Sequence, residues 1–165
     1  MSEFIAVLLI SLVFIWYLTF SANRLDRLHH RVETSWANLD SILQRRAALA
    51  QEIANFKEID PATKLLITLA SHQARDAEFS ERSGAESGLS EALKLLVQES
   101  DIPEIYPESF EELQSITDRL RTAIAIHREA VSATRKRRSK LIIRAFRLAG
   151  RAPLPVTYAF EDEVL

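Results

Sequence analysis

Phe4-Ile5-Ala6-Val7-Leu8-Leu9-Ile10-Ser11-Leu12-Val13-Phe14-Ile15-Trp16-Tyr17-Leu18-Thr19-Phe20 carries no charge, no proline and no glycine, and its only small polar residues are Ser11 and Thr19. As a helix rising about 1.5 Å per residue it spans about 25 Å, somewhat short of a bilayer core of about 30 Å, and Ser21 and Ala22 close most of that gap. Trp16 and Tyr17 lie toward one end, where amphipathic rings favour the interface. A helix apolar on every face needs either lipid or a large core, and a chain of 165 residues offers no large core. Residues 1–22 are therefore expected to form a transmembrane anchor. A cleaved signal peptide would begin with basic residues and end in an Ala-x-Ala-like site. Met1-Ser2-Glu3 and Phe20 before Ala22 fit neither requirement, so the segment is expected to be retained. No cation precedes the span, whereas Arg24, Arg27 and Arg31 follow it closely. The excess of cations on cytoplasmic flanks then puts the N-terminus outside and the bulk of a single-pass chain in the cytoplasm.

Downstream, residues 23–57 contain neither proline nor glycine. Steps of three and four pick out Leu25, Leu28, Val32, Ser35, Leu39, Ile42, Arg46, Leu49, Ile53 and Phe56, and Trp36, Leu43, Ala47 and Ala50 widen the stripe on one flank. A narrow two-position seam suggests a coiled coil, and a widened one suggests packing in a bundle. One long helix running on from the span is expected. Asp60-Pro61 supplies a cap and a first-turn proline for a second helix over about 61–82. Ser83-Gly84-Ala85-Glu86-Ser87-Gly88 reads as a loop, followed by a short helix over about 89–99 and a proline-bearing connector over 101–107. Ser109-Phe110-Glu111-Glu112 matches a capping box, from which a second long helix is expected to reach about Ala149, with a loosening near 132–139 where its seam turns polar. Gly150, Pro153 and Pro155 make residues 151–165 an extended tail. The fold class expected is all-α: a transmembrane helix followed by an antiparallel up-down bundle of two long and two short helices over 23–150.

Chemistry-bearing patterns are absent. The chain has no cysteine, which excludes disulfides, thiolate ligands and a cysteine nucleophile. Neither Glu-x-x-His nor His-Glu-x-x-His occurs, and no glycine-rich phosphate loop or Gly-x-Ser-x-Gly is present. His29 and His30 are adjacent, so they diverge by about 100° on a helix of 3.6 residues per turn. His127 falls on the second long seam between Ile124 and Val131, which suits a core histidine. Arg46 on the first seam suits a partner acid or a snorkelling stem. No catalytic, cofactor or metal residue is expected, and the chain does not read as an enzyme.

One charge cluster stands out: Arg135, Lys136, Arg137, Arg138, Lys140, Arg144, Arg147 and Arg151, with no acid among them. Leu141, Ile142, Ala145, Phe146 and Leu148 interleave at helical spacing. Three readings stay open: contact with an anionic membrane surface, a solvated helix end whose cations complement the dipole, and an RNA or acidic protein partner. Nucleic acid ranks low among them.

Ser35-Trp36-Ala37-Asn38-Leu39-Asp40-Ser41-Ile42-Leu43-Gln44-Arg45-Arg46-Ala47-Ala48-Leu49 resembles the signature of the LemA family, approximately A-W-S-x-I-D-V-Q-L-K-R-R-x-D-L, with Trp36, Asp40, Leu43, Arg45, Arg46 and Leu49 matching. Phe110-Glu111-Glu112-Leu113-Gln114 is similar to the family's F-x-x-L-Q, and Ser139-Lys140-Leu141-Ile142 with Phe146 to its S-N-L-I-x-x-x-F. Ile124, Ala125 and Arg128 echo a later family segment. Gln51 stands where the family carries a proline after Arg-Arg, so the first helix should pass straight through. Ala48 replaces an acid, the tyrosine-asparagine pairs of the last family helix are missing, and 129–140 is shorter and more basic. The resemblance implies a divergent member of a group of bacterial, membrane-anchored helical bundles with the bulk cytoplasmic, no cofactor and no established catalysis. The partners expected are the lipid bilayer and a membrane-associated protein. The function expected is an interaction or scaffold module; the alternatives are a lipid-responsive regulatory subunit and, more distantly, a bundle holding a ligand or metal.

Overall fold

The computed structural model describes residues 1–78, 80–140, 143, 145 and 146, with the side chain of Glu99 left aside. Among the described residues every regular element is helical: α1 Ser2–Ile53, α2 Pro61–Asp76, α3 Arg82–Glu99, α4 Ile102–Ile105 and α5 Pro107–Arg138. The chain divides into two compact units. One comprises Met1–Ser35 with the described residues from His127 onward, and the other comprises Trp36–Ile126.

α1 is a single helix of 52 residues. The apolar opening stretch and the amphipathic stretch that follows contain no breaker, and Gln51 lets the helix pass to Ile53 before the turns of 54–59. Its opening stretch is largely exposed: Phe4, Ile10, Leu12, Val13, Ile15 and Trp16 each expose between 61% and 76% of their surface. Burial begins only at Ser21 and Leu25. α1 is long and apolar enough in that half to cross a membrane, with a mean hydropathy of 2.4 over its best 18-residue window.

In the unit of Trp36–Ile126 all five helices contribute to one core. Ala47, Leu49, Ala50 and Ile53 of α1 meet Ile67, Ala70 and Ala74 of α2, Leu89, Ala92, Leu93 and Leu96 of α3, Ile102 of α4, and Leu113 and Ile116 of α5. A second cluster joins Leu39 and Leu43 to Leu120, Ala123 and Ile124, with Trp36 and Ile42 packed on it. α2 starts as the sequence predicts. The Asp60 carboxylate accepts from the backbone N–H of Ala62 at 2.9 Å and of Thr63 at 3.1 Å, and Pro61 occupies the first turn, where its missing N–H costs nothing.

Several boundaries differ from the sequence reading. α2 stops at Asp76, not near 82. The supposed loop Ser83–Gly88 is helical and opens α3. Its serines find acceptors inside the helix: Ser87 Oγ donates to the carbonyl of Ser83 at 3.0 Å and Ser90 Oγ to that of Glu86 at 2.9 Å. Such back-bonding satisfies hydroxyls that would otherwise compete for the backbone. The 101–107 connector contains the single turn α4, and Phe56 stacks on Tyr106 with ring centroids 3.9 Å apart. α5 begins at Pro107, so Ser109 lies inside the helix and the expected capping box is not its terminus. α5 ends at Arg138, Ile143 and Ala145 are again helical, and the rest of the stretch expected to reach Ala149 lies outside the described residues, apart from Ser139, Lys140 and Phe146. Just past Arg138, Ser139 Oγ bonds the carbonyl of Lys136 at 2.9 Å, which falls within the stretch expected to loosen. The tail 151–165 lies outside the described residues.

Candidate functional site

Two constellations stand out, one in each unit. In the unit of Trp36–Ile126, α1 presents Asp40 and Arg46 to the first turns of α3, which present Arg82, Glu86 and Ser90. Arg46 is 3% exposed, Arg82 5% and Glu86 not at all. Arg46 Nη1 donates to Glu86 Oε2 at 3.3 Å, and its Nη2 donates to Ser90 Oγ at 2.8 Å. Arg82 Nη2 pairs with Asp40 Oδ1, Arg82 Nη1 donates to the Ala77 carbonyl at 3.2 Å, and Arg82 Nε stands 3.9 Å from Glu86 Oε1. Two cations and two carboxylates thus alternate across the joint between α1 and α3. Arg82 also ties down the C-cap of α2.

Withdrawal from water dominates the electrostatics of this cluster. Burial raises the Glu86 carboxyl to about 7, and the opposing pull of Arg46 and Arg82 offsets only part of that. Burial likewise lowers Arg46 from its ordinary value against the favourable charge and hydrogen bond of Glu86. A cluster of this kind costs desolvation energy and repays it with geometry; here it fixes the register of α3 on α1. Arg46, Arg82 and Glu86 are buried and Asp40 and Ser90 half-buried, and the contacts among them are those of a structural clamp.

The six residues that carry the family resemblance are all engaged within this unit. Trp36 packs on the Leu39–Leu43–Leu120 cluster. Leu43 and Leu49 are buried at 0% and 2% exposure. Asp40 and Arg46 hold α3. Arg45, on the outer face, donates to Glu112 of α5 at 2.6 Å, and that hydrogen bond, followed by the charge of Glu112, raises the Arg45 pKa. The acid expected for Arg46 is Glu86. Sequence reasoning missed Glu86, Arg82 and Ser90 because it placed Glu86 in a loop and Arg82 at the end of the preceding helix. The available signal was the four-residue spacing of Arg82 and Glu86, which puts them on one helix face.

The other constellation lies in the unit of Met1–Ser35 and the described residues from His127 onward. His127, 3% exposed, sits with Nδ1 2.9 Å from Ser35 Oγ. Ser35 gives its own proton to the Val32 carbonyl at 2.8 Å, so the ring donates from Nδ1. His127 is thereby a buried core histidine held through its Nδ1. Thr134, fully buried, donates to the carbonyl of Ala130 at 2.8 Å and lies 3.3 Å from that of Leu28. Arg31 pairs with Glu129 at 3.3 Å. Of the basic run, Arg135, Lys136 and Lys140 are exposed, and Arg137 and Arg138 half-buried; Arg144, Arg147 and Arg151 lie outside the described residues. Within the run, Ile143 is 3% exposed, and the ring of Phe146 meets that of Phe14 edge-on with centroids 5.3 Å apart.

Among the described residues no group of three or more His, Asp or Glu side chains is placed to hold a metal ion. Comparison of the chain with family profiles, with curated proteins and with solved structures returned no match.

Proposed function

We propose that this chain is a single-pass membrane protein whose cytoplasmic part is an antiparallel, LemA-like helical bundle acting as an interaction or scaffold module. Residues 1–22 serve as anchor and 23–150 as the bundle. The observation that carries this reading is the exposure of the apolar residues from Phe4 to Tyr17 on α1, of which Phe14 meets the ring of Phe146, and the match of that stretch to lipid in length and polarity. Arg24, Arg27 and Arg31 after the span favour a cytoplasmic C-terminal side. The antiparallel arrangement is supported by the order of pairs between α1 and α5: Leu28 with Thr134, Arg31 with Glu129, Ser35 with His127. The family reading rests on the six matched residues of α1 and on their joint engagement in the bundle. The interaction role is supported by the helix surfaces that the described residues present around a largely buried ion cluster.

Flotation of membranes washed at alkaline pH tests the anchor. The full chain should float with lipid, and recovery in the soluble fraction would reject the reading. Cross-linking in intact membranes, followed by purification in mild detergent, tests the scaffold role. A stoichiometric protein partner supports it. Purification of the chain alone, with lipid-dependent exposure of the segment after Thr134, would favour the alternative of a lipid-responsive regulatory subunit, to which the exposed Arg135, Lys136 and Lys140 lend support.

A further inference from the structure

The buried stripe of α1 does not end where the apolar span begins. Ser35, Val32, Leu28, Leu25, Ser21, Leu18 and Phe14 succeed one another at three- and four-residue steps on one helix face. Ser35, Leu25 and Ser21 are buried, while Val32, Leu28 and Leu18 are half-buried. Phe14 is 43% exposed, against 61% for Val13 and 62% for Ile15 on either side. The face is covered in turn by Thr134 beside Leu28 and by Phe146 beside Phe14. From Leu28 to Phe14 the axis of α1 rises about 21 Å, and Thr134 and Phe146 stand at the two ends of that interval.

We infer that Ile143 and Phe146 enter the acyl layer of the bilayer alongside the anchor, while the cations before them grip anionic phospholipid headgroups. The inference rests on the reading of α1 as a membrane span and adds a second lipid-embedded element to it. Phe14 lies about 12 Å from Ala22 along the helix, so its neighbour Phe146 reaches past the headgroups into hydrocarbon. Phe146 leaves 48% of its surface for lipid chains. Ile143 and Ala145 are helical, the backbone form that hydrocarbon tolerates. Charge complements this placement. Exposed Arg24 and Arg27 follow the span on α1, and exposed Arg135, Lys136 and Lys140 close α5. In sequence the first set follows the apolar residues of the span and the second precedes Ile143 and Phe146, and each cation near an anionic leaflet contributes about 1 kcal/mol. The occupant that fits these apolar rings and cations together is the cytoplasmic leaflet itself.

Tryptophan quenching by bromine-labelled lipid chains tests this on the full chain in bilayer nanodiscs containing phosphatidylglycerol. Trp36→Phe leaves Trp16 as reporter of the span. Trp16→Phe with Trp36→Phe and Phe146→Trp makes position 146 the reporter and keeps an aromatic ring beside Phe14. Trp16→Phe alone leaves Trp36 as the reporter outside lipid. Circular dichroism confirms that each variant keeps its helix content. Loss of most emission at both 16 and 146, with little at 36, is the expected result. Quenching at 16 without quenching at 146 would overturn the inference and leave the anchor standing. Absence of quenching at 16 would overturn the anchor and the inference with it. Position 146 should move deeper as phosphatidylglycerol replaces phosphatidylcholine; equal quenching in both would remove the headgroup grip from the account.

Discussion

Arg46 of α1 and Glu86 of α3 form an ion pair at 3.3 Å with side chains 4% and 0% exposed, at the joint where the segment after α2 returns to the long helix. Breaking such a pair leaves a charge in a low-dielectric site without its partner. Arg46→Ala and Glu86→Ala are each expected to cost about 3 to 5 kcal/mol of stability, whereas Arg46→Met combined with Glu86→Leu should be close to neutral. Urea unfolding in mild detergent measures both. Equal losses in the single and double variants would show that the pair is not the unit of stabilisation.

Proton linkage at Glu86 gives a pH dependence of definite sign. The folded state holds this carboxyl protonated up to about 7, whereas the unfolded chain releases the proton near the ordinary 4.5. Between those values the folded state binds the extra proton, so this group's contribution to stability falls as pH rises and levels off above 7. Thermal melts across pH 4.5 to 8 should show that slope in the parent chain and lose it in Glu86→Gln. A slope unchanged by the substitution would assign it elsewhere.

Gly84 and Gly88 lie within α3, and a Cβ at either position would meet nothing within 4 Å. Glycine inside a helix costs about 1 kcal/mol relative to alanine, largely through the freedom of the unfolded chain. Gly84→Ala and Gly88→Ala should each raise stability by about 0.5 to 1 kcal/mol, read as an increase in the melting temperature. A loss at either position would mean that the segment is the loop its composition suggests.

Ser35 accepts from the Nδ1–H of buried His127 while donating to the Val32 carbonyl. Ser35→Ala removes that acceptor from a covered ring and should cost about 1 to 3 kcal/mol. Ser132→Ala, on the exposed side of α5, should cost nothing measurable. Comparable effects in the two variants would argue against the pairing.

The long helix was legible in the sequence because nothing between Ser2 and Ile53 interrupts it and its apolar pattern passes from all-round to one-sided near Ser21. The start of α2 was legible because Asp60 and Pro61 act locally, through their own backbone neighbours. The beginning of α3 was not. Gly84, Gly88 and the serines around them vote for a loop, and the contacts that outvote them, from Arg46 and Asp40, come from some forty residues away. The same distance hid the acid for Arg46: its seam position showed that one was needed, and only the fold says that it is Glu86. Ser109 misled for the opposite reason, since its capping pattern is real in sequence but Pro107 had already opened the helix. The basic run was visible as charge. Its placement beside the apolar span depended on the contact between Phe14 and Phe146, which no local pattern encodes.

Placement of α1 across the bilayer is tested most directly by accessibility of single cysteines, because the chain has none of its own. Ser2→Cys and Ser139→Cys are introduced separately and treated with a membrane-impermeant maleimide on intact cells and after permeabilisation. The account predicts labelling at position 2 from outside in intact cells, and at position 139 only once the membrane is opened. Labelling of position 139 in intact cells, or recovery of both variants in the soluble fraction, would contradict it.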